Sequence, residues 1–288
     1  MNRTIRIGDR EISRIGLGTN RLTETPANIG FIRAAVEAGI DMIDSAHLYT
    51  GGASERTIGA ALAATPRRPI VATKGGFARG EGKRALLAEQ IEQSLRALRV
   101  DRIDLYYLHR VDPDTPLEES VGLIAEYRAA GKIDNVGLSQ VGVAEIESAQ
   151  RIVPISAVQN QFNLAERGWD EVVDYCTSQG IAFVPFFPLR AAHPGLAEIA
   201  RRHGTSPSQI TLAWLLRRSP QMLPIPGTLS IEHLRENVAA IDIERSPPQT
   251  IGVRPDFNTS RTARYIRSRA TSGLTLGMDT SPQSTAVP

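Results

Sequence analysis

The sequence predicts an α/β fold, a single (β/α)₈ barrel preceded by an N-terminal β-hairpin. Short apolar runs alternate with longer segments of helical periodicity, and this alternation repeats eight times. No Pro/Gly/Ser-rich linker interrupts the repeats, so residues 1–245 are predicted to form one domain. Eight strand-helix units in one run favour a closed barrel over a doubly wound sheet.

The predicted elements follow one another in a regular order. Residues 4–14 alternate apolar and polar side chains around Gly8-Asp9, which predicts a β-hairpin. Each later strand is followed by helical sequence, as in the helix from Leu117 to Ala130 that Gly131 closes. The eight predicted barrel strands are RIGLG, DMID, PIVATK, DLYYLH, NVGLS, AVQN, AFVPF and MLPIP.

Composition excludes several classes of partner. The chain has 33 basic and 31 acidic residues and a net charge of +2, so no field of one sign attracts nucleic acid or an anionic membrane. There is no uninterrupted apolar run of about 18 residues, the minimum for a membrane-spanning helix. One cysteine cannot form an internal disulfide, and the start of the chain lacks the apolar core of a signal peptide. A cytoplasmic location is therefore expected.

Composition changes after the predicted barrel. Residues 246–288 are rich in Arg, Ser, Thr and Pro, contain no Lys and have few apolar side chains. Such a segment cannot bury enough surface to offset a backbone entropy cost of about 1–2 kcal/mol per ordered residue. We therefore predict an atypical, disordered C-terminal tail.

Polar residues close several of the apolar runs, where a (β/α)₈ barrel collects its reactive groups. Asp44 closes the second run, Lys74 the third and His109 the fourth, and Tyr49 lies in the loop after Asp44. A phenol, with an ordinary pKa of about 10, can donate a proton, and a neighbouring ammonium favours its phenolate. Asp44 can hold Lys74 by an ion pair, and His109 can hydrogen-bond a substrate oxygen. This set predicts carbonyl reduction.

The segment DSAHLYTGGASERTIG resembles the aldo-keto reductase signature of Asp, a nearby Tyr, Gly-x-x-Ser-Glu and a later Gly. ATKGGF, LYYLHR, GKIDNVGLS, VQNQFNLAER and IPGTLSIEHLREN resemble the remaining blocks of that family, in the same order. The resemblance extends from Ile12 to Ile243. It implies a catalytic tetrad of Asp44, Tyr49, Lys74 and His109. Further candidate residues of the substrate pocket are Asn20, His47, Phe77 and Arg110.

The cofactor is not predicted from a dinucleotide fold, because Gly16 and Gly18 lack the third glycine of G-x-G-x-x-G. The resemblance instead implies NADPH (NADP⁺) lying across one end of the barrel. Ser139 and Gln159 would bind the carboxamide, and Phe186 would stack on the nicotinamide. The helix after the eighth strand would hold phosphate at its N-terminus. The implied cofactor contacts are Thr19, Ser139, Gln140, Gln159, Phe186, Gly227, Thr228, Ser230, His233, Glu236 and Asn237.

Two positions depart from the family pattern. Gln140 stands where an asparagine is usual, and His233 replaces the arginine of many members, which bears on recognition of the 2′-phosphate. The five histidines show no metal-ligand spacing, so no metal is expected.

The function expected from these features is NADPH-dependent reduction of aldehydes or ketones to alcohols. The large apolar side chains near the site favour small, uncharged carbonyl substrates. Two alternatives stay open: an NAD(P)-dependent sugar or secondary-alcohol dehydrogenase, and a cofactor-binding regulatory subunit with little turnover.

Overall fold

The computed structural model describes residues 3–190 and 195–243. Within them the chain forms nine β-strands and nine α-helices. The strands are β1 Thr4–Ile7, β2 Arg10–Ser13, β3 Leu17–Gly18, β4 Met42–Asp44, β5 Ile70–Gly75, β6 Ile103–Leu108, β7 Ile133–Ser139, β8 Ile155–Gln159 and β9 Ala182–Phe183. The helices are α1 Pro26–Glu37, α2 Ala53–Leu62, α3 Arg84–Leu98, α4 Leu117–Ala129, α5 Val143–Gln150, α6 Asp170–Gln179, α7 Leu196–His203, α8 Pro207–Arg218 and α9 Ile231–Ile243.

Strands β3 to β9 form a parallel sheet in which each strand pairs with the next one along the chain. Helices follow the strands, as parallel connections require. The predicted (β/α)₈ barrel and the N-terminal hairpin of β1 and β2 are both confirmed.

The eighth predicted strand, Met222 to Pro226, closes the ring without forming a regular ladder. The Leu223 amide donates to the Phe183 carbonyl at 2.9 Å on one side, and the Gly16 amide donates to the Pro224 carbonyl at 3.0 Å on the other. Pro224 and Pro226 have no N–H group to donate, so this segment cannot form the regular hydrogen-bond ladder of a β-strand. It still joins β9 to β3 through isolated bridges.

The inside of the barrel is filled by apolar side chains from alternate strand positions, including Met42, Ala72, Leu105 and Tyr107. The hairpin contributes Ile5, Ile7 and Ile12 to the same cluster, which closes the amino-terminal end of the barrel. A second, larger apolar cluster lies between the strands and the surrounding helices.

Local signals fix the ends of several elements. The Thr25 side chain accepts from the Asn28 amide at the start of α1, and Ser206 forms a capping box with Gln209 at the start of α8. Buried Arg14 donates to the carbonyls of Leu216 and Ser219, both at 2.6 Å, and so satisfies acceptors at the end of α8.

Two predictions concern parts of the chain outside the described residues: the domain boundary at residue 245 and the disorder of residues 246–288. Among the residues that are described, no helix is both long and apolar enough to cross a membrane.

Candidate active site

The carboxyl ends of the barrel strands meet at one end, here called the mouth. Along each strand, residues two positions apart point to the same face. Asp44 therefore shares the inward face with Met42, Lys74 shares it with Ala72, and His109 shares it with Tyr107. This is why side chains from three consecutive strands meet above the apolar interior.

Lys74 and Asp44 form a buried ion pair at the centre of the mouth. Lys74 Nζ lies 2.7 Å from Asp44 Oδ1 and also donates to the Ser45 carbonyl. The other carboxylate oxygen, Asp44 Oδ2, accepts from Gln159 Nε2 at 2.7 Å. Burial lowers the pKa of Lys74, but the negative charge of Asp44 and contact with Tyr49 raise it by more. The side chain is therefore a charged ammonium at neutral pH.

Tyr49 begins a short 3₁₀ helix, Tyr49–Gly52, between β4 and α2. Its ring centroid lies 5.1 Å from Lys74 Nζ and 6.2 Å from the centroid of His109. Thr50, next in the chain, has a left-handed backbone with φ of 49° and donates its hydroxyl to the Leu22 carbonyl at 2.7 Å. This contact fixes the loop that presents Tyr49.

The sequence led us to expect Lys74 to favour the Tyr49 phenolate. In the structure burial raises the pKa of Tyr49 more than Lys74 lowers it, so the net shift is upward. The hydroxyl therefore keeps its proton at neutral pH, and this is the form that can donate one.

His109 is neutral over the physiological range. Burial, with the positive charges of Lys74 and Arg110, lowers the pKa of His109 to about 2. Its Nδ1 is buried and has no hydrogen-bond partner among the described residues. We assign the proton to Nε2, because an orphaned buried N–H is rarer than an orphaned lone pair. Nε2–H is then a donor at the mouth.

Tyr107 lies beneath this group and was not singled out from the sequence. Lys74 Nζ is 5.7 Å from its ring centroid, and burial raises the pKa of its hydroxyl well above the ordinary value. Gly137 makes room for the ring, since a Cβ at this position would lie 2.4 Å from it. The sequence contained one indication of this position, because Tyr107 lies two residues before His109 and therefore points to the same face.

A cavity of about 670 Å³ opens above the ion pair. Of the predicted pocket residues, it brings together Asn20, Phe77 and Arg110. The structure does not place His47 among its lining residues. His47 Nδ1 instead lies 4.0 Å from Oε2 of the buried carboxylate of Glu55. The predicted cofactor contacts that line this cavity are Thr19, Ser139, Gln140, Gln159, Phe186 and Gly227.

A second cavity, of about 690 Å³, adjoins the first. It lies at the start of α9, where Ser230 Oγ accepts from the His233 amide at 3.2 Å. Gly227, Arg21 and Leu189 line both cavities, and the last two were missed from the sequence. The predicted cofactor contacts that line the second cavity are Gly227, Thr228, Ser230, His233, Glu236 and Asn237.

The loop after β7 is fixed by a residue that sequence reasoning also missed. Asn160 is fully buried, and its side chain accepts from the amide of Val141 at 3.2 Å and donates to the carbonyl of the same residue at 2.8 Å. Gln140, immediately before, has a left-handed backbone with φ of 59°. Asparagine adopts this conformation more readily than glutamine, so the departure from the family pattern carries a backbone cost.

In residues 3–190 and 195–243, no three His, Cys, Asp or Glu side chains lie together in a group that could hold a metal ion.

Comparison with known proteins identifies the family. The profile of the Aldo/keto reductase family matches residues 14–193 and 190–251. An uncharacterized oxidoreductase of Schizosaccharomyces pombe is 38% identical over 265 residues, covering 84% of this chain and 86% of that protein. Pyridoxine 4-dehydrogenase of Escherichia coli is 33% identical over 82% of this chain and 92% of its own length.

Solved structures agree with this assignment. A thermostable aldo-keto reductase in complex with the inhibitor epalrestat matches with a TM-score of 0.78 and 30% identity, covering 85% of this chain and 96% of that one. An aldo-keto reductase of Klebsiella pneumoniae in complex with NADPH matches with a TM-score of 0.76 and 27% identity, over 87% and 97% of the two chains. The chain described here is a member of the aldo/keto reductase family of oxidoreductases.

Proposed function

We propose that this chain reduces aldehydes or ketones to alcohols with NADPH, and that Tyr49 is the proton donor. One observation carries the proposal. A buried Lys74–Asp44 ion pair of 2.7 Å lies beside the Tyr49 ring, whose centroid is 5.1 Å from Lys74 Nζ and 6.2 Å from the ring centroid of neutral His109. A cation, a phenol and an imidazole donor then surround one position, where a carbonyl oxygen fits.

Each side chain has a defined part in the reaction. The bound cofactor supplies a hydride to the carbonyl carbon. Tyr49 passes its hydroxyl proton to the carbonyl oxygen, and Lys74 stabilises the phenolate that remains. His109 Nε2–H hydrogen-bonds the same oxygen and orients it. Asp44 holds Lys74 in place, and Tyr49 then recovers a proton from water.

The residues around the mouth fit a nicotinamide cofactor. Ser139 and Gln159 end neighbouring strands β7 and β8, and Phe186 offers a ring at the next strand. Gly227 lines both cavities, and a Cβ there would lie 3.3 Å from the Gly18 carbonyl, so this close approach of the two backbones favours glycine. The amino end of α9 suits phosphate, because the first amides of a helix have no acceptor within the helix and the helix dipole favours negative charge there. The relative with NADPH bound supports the same choice.

Preference for NADPH over NADH is part of the proposal. Arg21 and His233 are the basic residues that line the second cavity, where a 2′-phosphate would lie, and Glu236 is its acidic one. We expect a lower Kd for NADPH than for NADH by fluorescence titration, and a smaller difference in Arg21→Gln. Equal Kd values for the two cofactors in the parent protein would contradict this preference.

Alcohol oxidation is the second candidate, favoured by the name of the relative from Escherichia coli, a dehydrogenase. The same residues serve it in reverse, with Tyr49 accepting a proton. Initial rates in both directions separate the two. The third alternative, a regulatory subunit with little turnover, has no observation in its favour.

Tyr49→Phe tests the central assignment. It removes the transferable proton and no cofactor contact, so kcat should fall by about 10²–10⁴-fold, the usual value of positioned acid catalysis, with the Kd for NADPH unchanged. Tyr175→Phe is the matched control, because that hydroxyl donates to Gln150 on the helical exterior. A Tyr49→Phe protein that keeps more than about a tenth of its turnover would remove Tyr49 from this role.

A further inference from the structure

We propose that the physiological carbonyl substrate carries an anionic group, of which a carboxylate is the simplest, and that Arg110 binds it. This inference rests on the proposed function. The Arg110 guanidinium lies over the Phe77 ring, 4.3 Å from its centroid, and that ring lies 4.9 Å from His109. Arg110 is thus one aromatic ring away from the position assigned to the carbonyl oxygen.

Three arginines of the described chain line the mouth cavity, and their positions in the barrel separate them into two groups. Arg21 follows β3 and Arg190 follows β9, the two strands that flank the closing segment and its second cavity. Arg110 follows β6, which is separated from the closing segment by three strands on either side. Arg21 also lines the second cavity, and the Arg190 guanidinium lies 3.9 Å from the Phe187 ring centroid, so both lie on the side of the mouth proposed for the cofactor's phosphates. Arg110 lies across the mouth from them.

Arg110 has no carboxylate partner within the described structure. Among the described residues that line the cavity, Asp44 is the only acidic one, and it is paired with Lys74. In the part of the chain that the structure describes, no ion pair joins Arg110 to a carboxylate. Of the acidic side chains just after it, Asp114 pairs with Arg79 at 2.6 Å and Asp112 accepts from the Gly80 and Gly82 amides.

Stacking also prepares Arg110 for a ligand. A guanidinium held over a ring loses rotamer freedom before binding, so less entropy is lost when it forms paired hydrogen bonds to a carboxylate. The Arg110 amide donates to the Gly76 carbonyl at 3.1 Å, which ties its backbone to the same loop as Phe77. The pair therefore acts as one preformed surface.

The rim around this charge is apolar. Leu48, Phe77 and Phe187 are 41%, 38% and 37% exposed and all line the cavity. Exposed apolar groups gathered at a concave site indicate a ligand that covers them. The rim alone favours an uncharged substrate, as the sequence led us to expect. Because Arg110 lies beside this rim, we expect a substrate in which an apolar or aromatic group lies between the carbonyl and the anionic group.

The test compares 4-carboxybenzaldehyde with its methyl ester, which has the same carbonyl and ring without the charge. We expect the parent enzyme with NADPH to have a KM about ten-fold or more lower for the carboxylate, the usual effect of a charge-assisted hydrogen bond. In Arg110→Met, which keeps an unbranched side chain at this position without the charge, the ratio of the two KM values should fall to about one. Arg110→Lys should restore part of the ratio, and kcat should change less than KM.

Arg79→Met is the matched control, since Arg79 is exposed, lies on a neighbouring loop and is paired with Asp114. The ratio of KM values should stay at the parent level in that variant. A ratio near one in the parent enzyme, or a ratio that Arg110→Met leaves intact, would overturn the inference while leaving carbonyl reduction standing.

A second readout separates this inference from the proposed function. Benzoate should bind the NADP⁺ complex of the parent protein and bind about ten-fold or more weakly to the complex of Arg110→Met. If neither aldehyde is reduced but Arg110-dependent binding of benzoate is found, the anion site stands and the proposed function fails. If benzoate binds both proteins equally, the anion site fails.

Discussion

The two ends of the barrel differ in the side chains that they bury, which are apolar at the amino-terminal end and charged or polar at the mouth. At the amino-terminal end the hairpin contributes Ile5, Ile7 and Ile12, all at most 5% exposed, to an apolar cluster. At the mouth, the same interior continues into a buried ion pair and into His109, whose Nδ1 lacks a partner among the described residues. Burial of charges and unpaired polar groups at the mouth lowers the free energy of unfolding. Burial of apolar side chains at the amino-terminal end offsets that loss.

Strained backbone conformations are also concentrated in the loops at the mouth. Of the four non-glycine residues with positive φ in the described chain, Thr50, Gln140 and Phe187 lie in loops at the mouth, and Arg99 ends a helix. Each such residue costs about 1–2 kcal/mol. The strained loops present Tyr49, Ser139 and Phe186, which are the residues assigned to chemistry and to the cofactor. Strain of this kind persists only where the rest of the fold determines the conformation.

Breaking the buried ion pair should give the largest effect at the mouth. Lys74→Met leaves Asp44 buried without its partner, which should lower the free energy of unfolding by about 3–5 kcal/mol. It should also lower kcat by about 10²–10⁴-fold, because Lys74 acts through Tyr49. Lys132→Met is the control: that lysine pairs with Glu92 at the surface, where such pairs contribute about 1 kcal/mol or less.

The double variant Lys74→Met with Tyr49→Phe sharpens this prediction. If Lys74 works by stabilising the Tyr49 phenolate, the two losses in kcat should not multiply. A double variant as slow as the product of the two single defects would mean that the residues act independently. Urea unfolding of each variant separates loss of the fold from loss of catalysis.

A deletion at the apolar end should change stability and leave the chemistry alone. Ile7 is fully buried among barrel residues, so Ile7→Ala should lower the free energy of unfolding by about 2–5 kcal/mol. At a temperature where the variant is folded, kcat should equal that of the parent enzyme. Ile152→Ala is the control, because it removes the same side-chain atoms at a position that is 38% exposed. A large fall in kcat for folded Ile7→Ala would mean that the two ends are coupled.

The sequence predicted the barrel because eight short apolar runs alternate with helical segments, and Asp44, Lys74 and His109 could be found because each closes one of those runs. Even the closing strand was found, although its prolines disrupt the ladder. Contacts across the barrel were not predictable in this way. That Gln159 donates to Asp44, and that Tyr107 fits against Gly137, depends on the register between strands distant in sequence.

The positions of loop side chains could not be predicted from the sequence either. His47 was expected in the pocket because it lies between Asp44 and Tyr49, yet its ring nitrogen lies next to Glu55. Arg21 lines both cavities but was not predicted as a site residue, because a single arginine in a loop belongs to no recognisable sequence pattern. The direction of a loop side chain is set by partners that one sequence does not identify.

The smallest expected effect is a pH dependence of stability that His109 contributes. Its pKa is lowered to about 2 in the folded protein, mainly by burial, against about 6.5 in an unfolded chain. Between these values the unfolded state binds more protons, so the free energy of unfolding falls as pH falls below about 6.5. The slope from this group is at most about 1.4 kcal/mol per pH unit, and it vanishes above about pH 7.

His109→Gln removes this titrating group from the mouth while keeping a polar side chain there. Urea unfolding of parent and variant at pH 8.5, 7.5, 6.5 and 5.5 gives the difference in unfolding free energy, in which titrations common to both proteins cancel. We expect that difference to be constant between pH 8.5 and 7.5 and to shift in favour of the variant below about pH 6.5, because only the parent protein must keep an imidazole neutral. A difference that stays flat down to pH 5.5 would mean that His109 takes up its proton in the folded state at an ordinary pKa. Its assignment as a neutral donor at the mouth would then fail.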